Sequence, residues 1–215
     1  MIGEILRQID HRPWPLPVGP WVMMQSWHDL LFAHWPIPVD VMRALVPPAL
    51  ELDTFDGSAW VGVVPFRMSG VRPRLLPAVP WLSAFPELNV RTYVKARHPA
   101  HPKPGVYFFS LEAANPVAVA LARGIFKLPY FNAKMHLRDD GHTIDYQSRR
   151  THRGAPAAEF AGQYAPTGPV YRTPKGTLEQ WLTERYSLYT LDGQQRAHIG
   201  EIHHQPWPLQ PAAAT

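Results

Sequence analysis

Proline limits what this chain can fold into more than any other feature, because 25 of its 215 residues are proline. Proline fixes φ and lacks a backbone N–H, so it is excluded from helix interiors and from central strands. The densest runs, at 13–17 and 72–77, are therefore predicted to be extended connectors or loops. Regular elements are expected in the segments between such runs.

Those segments favour strands, because most of them are rich in aromatic or β-branched residues. The predicted strands are 22–34, 50–55, 58–68, 88–96, 106–113, 131–137, 143–150 and 196–204. Asp-Gly pairs stand at 56–57 and 140–141. Each predicts a hairpin turn with antiparallel pairing of the strands on either side.

Helices are predicted in only three places, each behind a proline or a capping side chain. They are 39–45, 117–127 and 178–189. Many strands with few helices indicate a mainly β (α+β) fold, either a β-barrel or a strongly bent sheet with helical additions. Residues 1–215 are expected to form one domain, with 1–20 as a proline-rich N-terminal arm.

Composition excludes several classes of function. The chain has no cysteine, so it can form no disulfide, thiolate nucleophile or thiolate-bound metal site. Its net charge of +4 is scattered, which argues against a nucleic-acid partner. The first twelve residues mix charges with apolar residues, unlike a signal peptide, and no later run is long enough to span a bilayer. We therefore expect a cytoplasmic protein with no membrane partner.

No cofactor or metal motif stands out. Phosphate-binding glycine loops, the nucleophile-elbow pattern and the zinc-protease pattern are all missing from the sequence. The run 198–204 is rich in histidine, and strand alternation puts Glu201 and His203 together on one face. Two ligands do not make a metal site. Neither a metal nor a cofactor is predicted.

The most informative stretch is 85–95. Strand alternation puts Glu87, Asn89, Arg91, Tyr93 and Lys95 on one face. This row is either the wet face of an outer strand or, in a barrel, an inward row that lines a cavity. In the second case Arg91 could clamp a carboxylate while Glu87 donates or accepts a proton. The sequence alone leaves both interpretations open.

A second segment has the pattern Arg-x-x-Phe-x-x-Pro, formed by Arg123, Phe126 and Pro129. It resembles the segment of acetoacetate decarboxylases that leads into their Schiff-base lysine. In that family two lysines follow the proline, whereas this chain has Tyr130 and Phe131. The resemblance therefore implies that the Schiff-base nucleophile is absent. It also matches Glu87 to a functional glutamate of the family.

A closer resemblance covers nearly the whole chain: it is similar to the YqjF-like family of uncharacterised bacterial proteins in the acetoacetate-decarboxylase-like superfamily. The stretches that carry it are 30–36, 59–62, 87–94, 128–130, 183–186 and 206–209. The resemblance implies a closed, largely antiparallel β-barrel with a few flanking helices and an interior cavity. It also suggests a homo-oligomer, and it implies no established reaction.

The leading hypothesis is a small-molecule-binding barrel, in its most specific form an enzyme that acts on a small oxo-acid or related carboxylated metabolite. The predicted catalytic residues are Glu87, which would handle a proton, and Tyr130, which would donate a hydrogen bond to a developing oxyanion. The predicted ligand-binding residues are Arg91, Asn89, His34, Trp60 and Arg123. The alternatives are a non-catalytic ligand sensor or carrier and an interaction module.

Overall fold

The computed structural model describes residues 2–97 and 103–215, which contain twelve strands and four helices. The strands are β1 (Met23–His28), β2 (Ala33–Ile37), β3 (Leu50–Leu52), β4 (Ala59–Pro73), β5 (Phe85–Ala96), β6 (Gly105–Ala113), β7 (Tyr130–Asp139), β8 (Ile144–Arg150), β9 (Glu159–Pro166), β10 (Ser187–Leu191), β11 (Ala197–Glu201) and β12 (Ala212–Ala214). The helices are α1 (Ile2–Ile5), α2 (Val39–Leu45), α3 (Pro116–Phe126) and α4 (Leu178–Thr183). None of these helices combines the length and apolar character needed to cross a membrane.

The strands form one twelve-stranded sheet whose main path runs β1-β4-β5-β6-β7-β8-β9-β12. Most neighbours are antiparallel, while β6 pairs in parallel with β7 and with β10. The predicted closed barrel is wrong: the sheet curves into an open half-barrel of about 210°. Closure requires the two end strands to pair. Here β12 pairs only with β9 among the described strands.

Several predicted elements have different bounds in the structure. The predicted strand 22–34 is interrupted by Asp29, whose φ of 55° breaks the extended backbone. Strand β4 continues to Pro73, where an antiparallel partner in β1 replaces the predicted loop. The predicted helix 178–189 ends at Thr183, and its second half forms β10. Strands β9, β10 and β12 lie outside the predicted strands.

The two predicted hairpin turns both form, with different consequences. The turn at 140–141 joins the antiparallel pair β7 and β8, as predicted. At the other turn Asp56 and Gly57 both have positive φ, of 47° and 77°. That turn closes only the single bridge between Phe55 and Ser58. Strand β3 pairs with β5 instead of β4.

Strand β5 lies inside the sheet and is buried on both faces. Glu87 and Asn89 on one face are 3% and 5% exposed, and Leu88 on the other face is 5% exposed. Helices α3 and α4 pack over the Glu87 face, where they contribute Val119 and Leu182 to the core. The interpretation of this strand as an outer strand with a wet polar face is therefore excluded.

Candidate functional site

The register of β4 and β5 assembles a polar cluster beneath the helices. Gly62 lies opposite Arg91, Val64 opposite Asn89, and Phe66 opposite Glu87. Since directly opposed residues of an antiparallel pair share a face, these side chains project to the same side of the sheet. The first residue of β7, Tyr130, reaches the same side from two strands away.

Glu87 and Tyr130 form a hydrogen-bonded acid pair. The Tyr130 hydroxyl donates a hydrogen bond of 2.7 Å to Oε2 of Glu87. Burial raises the pKa of Glu87 to about 8; the hydrogen bond from Tyr130 acts in the opposite direction, and the nearby Glu112 carboxylate adds to the rise. Burial and the Glu87 carboxyl together raise the pKa of Tyr130 well above its usual value. At neutral pH both groups therefore keep their protons.

The position of Tyr130 follows from the end of α3. Asn115 caps the start of this helix by accepting hydrogen bonds from two backbone N–H groups. The helix ends at Phe126, where Lys127 adopts a left-handed conformation with φ of 55°. Pro129 cannot continue a helix, so the chain enters β7 at Tyr130. The helix-to-strand junction thus aims the phenol at Glu87.

His34, Tyr93 and Arg91 form a second polar group on the same face. The Tyr93 hydroxyl donates to the carbonyl of Leu182 at 2.8 Å and lies 2.6 Å from Nε2 of His34. Because the hydroxyl has only one hydrogen, the Nε2–H of His34 donates to the phenol oxygen. Burial, and then the charge of Arg91, lower the pKa of His34 to about 3. The imidazole is therefore neutral.

Gly62 makes room for this group. A Cβ atom at that position would lie 2.8 Å from Nε2 of His34 and 3.4 Å from Cγ of Arg91. The histidine ring and the arginine stem therefore lie directly on the backbone of β4. A glycine inside a strand often marks such a close approach.

Arg91 has no counter-ion among the residues that the structure describes. Its guanidinium carbon lies 5.5 Å from the Phe32 ring and 5.8 Å from the Tyr93 ring. The nearby Arg185, by contrast, is paired with Asp53 at 2.6 Å. Burial is the main cause that lowers the pKa of Arg185, and the charge of Arg91 adds to it. Two guanidinium groups thus share this region with one carboxylate.

Several buried polar atoms around the cluster have no hydrogen-bond partner among the described residues. They are Nε1 of Trp60, Oδ1 of Asn89, Nε of Arg91 and Oδ1 of Asn132. Buried polar groups are normally paired, and each exception needs an explanation. Trp60 and Arg91 offer donors, while the two asparagines offer acceptors. The face therefore presents several free hydrogen-bonding atoms of both kinds.

The structure brings together all but one of the predicted site residues. Glu87, Tyr130, Asn89, Arg91, His34 and Trp60 lie on the Glu87 face of the sheet. Arg123 does not, because its side chain is exposed, donates to the Tyr130 carbonyl and lies over the Phe131 ring. Sequence reasoning missed Asn132, although it shares the face of Tyr130 by strand parity, and it missed Gly62.

Within the described residues, the lysines nearest to the cluster in sequence lie outside it. Lys127 and Lys134, the lysines nearest to Tyr130 in sequence, are both exposed. Glu201 pairs with Arg12 and Lys103, while His203 contacts the Ile5 carbonyl, so both hold the N-terminal segment in place. Within residues 2–97 and 103–215 no group of three or more metal-binding side chains was found.

Comparison with known proteins identifies the family. The DUF2071 family of uncharacterized conserved proteins matches residues 24–215. The uncharacterized protein YqjF of Bacillus subtilis (strain 168) is 47% identical over 199 residues, which cover 93% of this chain and 79% of YqjF. The chain belongs to the DUF2071 family. Membership implies no reaction, because both names describe uncharacterized proteins.

Solved structures related to this DUF2071 member are acetoacetate decarboxylase-like. The acetoacetate decarboxylase of Legionella pneumophila aligns with a TM-score of 0.54 at 15% identity, over 96% of this chain and 79% of that one. The enduracididine biosynthesis enzyme MppR complexed with pyruvate aligns with a TM-score of 0.57 at 12% identity, over 92% and 78%. At these identities the similarity shows only that the fold is shared. In this chain the sheet of that fold is an open half-barrel.

Proposed function

We propose that this protein binds a small carboxylated molecule on the Glu87 face of β5, with Arg91 as the carboxylate ligand. The observation that carries the proposal is the state of Arg91: a half-buried guanidinium whose Nε has no partner and which has no counter-ion among the described residues. A buried charge is costly unless it is paired. A carboxylate would supply the missing charge and could accept two parallel N–H bonds from the guanidinium.

The second part of the proposal is general acid catalysis by the Glu87 and Tyr130 pair. Because burial raises the pKa of Glu87 to about 8, its carboxyl keeps a proton that it can donate at neutral pH. Tyr130 holds the carboxyl by its hydrogen bond, and it would stabilise an oxyanion by turning its single hydroxyl hydrogen from Glu87 to the ligand. Proton transfer at a carbonyl or enol is the chemistry that this pair supports. It needs no covalent intermediate.

The strand geometry sets the length of the ligand. Glu87 and Arg91 are four residues apart on β5, so their Cα atoms are roughly 13 Å apart at the usual rise of a strand. Two hydrogen bonds of about 2.8 Å take up part of that span. If both side chains extend straight out from the strand, a ligand that contacts both is roughly 8 Å long and passes Asn89, whose Oδ1 is free to accept a hydrogen bond. Pyruvate is shorter than this span.

The fold neighbours support the choice of oxo-acids as the first probes. MppR was solved in complex with pyruvate, and also with the condensation product of pyruvate and imidazole 4-carboxaldehyde. The second of these ligands is an elongated molecule. For this chain we propose the corresponding class, an oxo- or hydroxy-acid with an extended side chain.

A carrier or sensor is the second candidate, and one observation favours it. The Glu87 carboxyl already accepts a hydrogen bond from Tyr130, and Glu87 is buried while Tyr130 is partly buried. An acid whose hydrogen bond is satisfied within the protein can fix the shape of a binding site without turnover. In this case Arg91 would still hold the carboxylate, and the ligand would be released unchanged.

Thermal melting with a panel of acids tests the proposal. The panel contains pyruvate, straight-chain 2-oxo-acids of increasing length and the matching primary amides, which lack the charge. A ligand at a hundred times its dissociation constant stabilises the protein by about 2.7 kcal/mol, which raises Tm by roughly 5–10 °C in a domain of this size. We expect the longer acids to raise Tm and the amides to leave it unchanged.

Arg91→Ala should abolish that rise, while Arg149→Ala, at an exposed arginine on β8, should preserve it. Equal responses of acids and amides, or an unchanged response in Arg91→Ala, would contradict the carboxylate site. Nuclear magnetic resonance of the recovered ligand then separates the two candidates, because only an enzyme converts it.

A further inference from the structure

A cavity of about 160 Å³ lies on the opposite face of β5, away from Glu87 and Arg91. It is bounded by β4, β5 and β6 on one side and by β8 and the start of β9, in the same curved sheet, on the other. Val63, Leu88 and Val90 form apolar walls. Because side chains alternate along a strand, Leu88 and Val90 face this cavity while Glu87 and Asn89 face the carboxylate site. The cavity and the proposed carboxylate site therefore lie on opposite faces of one strand.

The floor of the cavity is polar and carries an ion pair. Glu112 is 2% exposed. Its Oε1 accepts two hydrogen bonds from Arg150, one from Nε at 3.0 Å and one from Nη2. The Ser110 hydroxyl donates to Oε2 of Glu112 at 3.2 Å. The carboxylate is therefore neutralised by its partner, and Oε2 keeps the capacity to accept one further hydrogen bond.

Ser148 completes the floor and has no partner. It is 4% exposed, lines the cavity, and its hydroxyl makes no hydrogen bond to any residue in the described part of the chain. A buried hydroxyl without a partner destabilises a fold, whereas alanine at the same place would cost nothing of this kind. A serine at this position is explained by a polar group that enters the cavity from outside the protein.

The cavity is larger than a single water molecule requires, because one water molecule occupies about 30 Å³ in the liquid. It is comparable to the cavity of about 150 Å³ in which an engineered protein binds benzene. A ligand of about five or six non-hydrogen atoms would fill it. Charge narrows the choice further. Arg150 is already paired with Glu112, so the floor offers an anion no free cation, and the exposed Glu159 at the rim disfavours an anion.

We propose that this cavity is a second ligand site, for a small, uncharged, mainly apolar molecule with one hydroxyl group. The hydroxyl donates to Oε2 of Glu112 and accepts from Ser148, while the apolar part contacts Val63, Leu88 and Val90. This site would bind an uncharged, mainly apolar ligand, whereas the site at Arg91 would bind a carboxylate. The second proposal does not depend on the function proposed for Arg91.

Methyl-group nuclear magnetic resonance tests this site, with 1-butanol as the probe and butyrate as the charged molecule of similar size. We expect 1-butanol to shift the methyl signals of Val63, Leu88 and Val90 along a saturable curve, and butyrate to leave them unchanged. Ser148→Ala should weaken 1-butanol binding by about fivefold, the loss of one hydrogen bond. The control Ser26→Ala changes an exposed serine on β1 and should have no effect.

Three results would overturn the proposal: shifts that rise linearly without saturation, shifts of equal size with butyrate, or an unchanged affinity in Ser148→Ala. A cavity that holds only water would give the first of these results. Val90→Phe provides a second check that leaves the polar floor intact. If the variant folds, as judged by its methyl spectrum, it should lose 1-butanol binding because the ring occupies the cavity.

Discussion

Glu87→Gln should make the protein less sensitive to alkaline pH. Burial raises the pKa of Glu87 from 4.5 to about 8 in the folded state. Between these two values the unfolded chain loses the proton while the folded chain keeps it, so stability falls as pH rises through this window. At about 1.4 kcal/mol per pKa unit, the full difference corresponds to roughly 5 kcal/mol.

Glutamine stays neutral at every pH, and its side-chain oxygen can accept the hydrogen bond from Tyr130. The variant should therefore match the parent near pH 4.5 and exceed it by about 4 kcal/mol at pH 8. Urea unfolding at pH 5, 6.5 and 8, followed by the fluorescence of the eight tryptophans, measures this difference. Glu4→Gln, at an exposed position, makes the same change in charge and should leave the pH dependence unaltered.

The result that would refute this reasoning is an equal pH slope in Glu87→Gln and in the parent. Glu87 would then be ionised in the folded protein at neutral pH, and a neutral acid could not take part in the proposed proton transfer. A loss of stability at pH 5 in the variant would show instead that the carboxyl makes a contact that an amide cannot replace.

Further predictions concern the neighbours of Glu87. Tyr130→Phe removes a hydrogen bond that lowers the pKa of Glu87, so the carboxyl should titrate above pH 8 by carbon-13 resonance; a lower value would contradict the pairing. Gly62→Ala places a Cβ 2.8 Å from a histidine nitrogen, and urea unfolding should show a loss of about 1–3 kcal/mol; unchanged stability would mean that the ring moves freely. Glu112→Ala leaves Arg150 buried without its partner and should cost about 3–5 kcal/mol, whereas replacing both residues with methionine should restore most of that loss.

Local sequence signals predicted much of this fold. Helix α2 has the predicted bounds, since Pro38 sets its start and the apolar residues Met42 and Val46 anchor it to the core. The hairpin at 140–141 followed from its turn residues. Strand alternation also grouped Glu87, Asn89 and Arg91 on one face, because parity depends only on the local extended backbone.

The predictions that were wrong concern features that depend on contacts between residues far apart in the sequence. Strand β10 pairs in parallel with β6, about eighty residues earlier in the chain, and the apolar pattern at 178–189 suited a helix equally well. Closure of the barrel depends on whether the end strands meet, which no local pattern encodes. The sequence resemblance predicts Arg123 in the site, yet its helix places it on the surface. Three expectations stay predictions: the cytoplasmic location, the single domain and the homo-oligomer.

The most direct test of the central claim is a crystal structure of the protein with the oxo-acid that raises Tm most. The account predicts a carboxylate within about 3.2 Å of the Arg91 guanidinium, with the rest of the molecule running along β5 past Asn89 toward Glu87. A carboxylate bound elsewhere, at Arg123 for instance, with Arg91 unchanged, would contradict it.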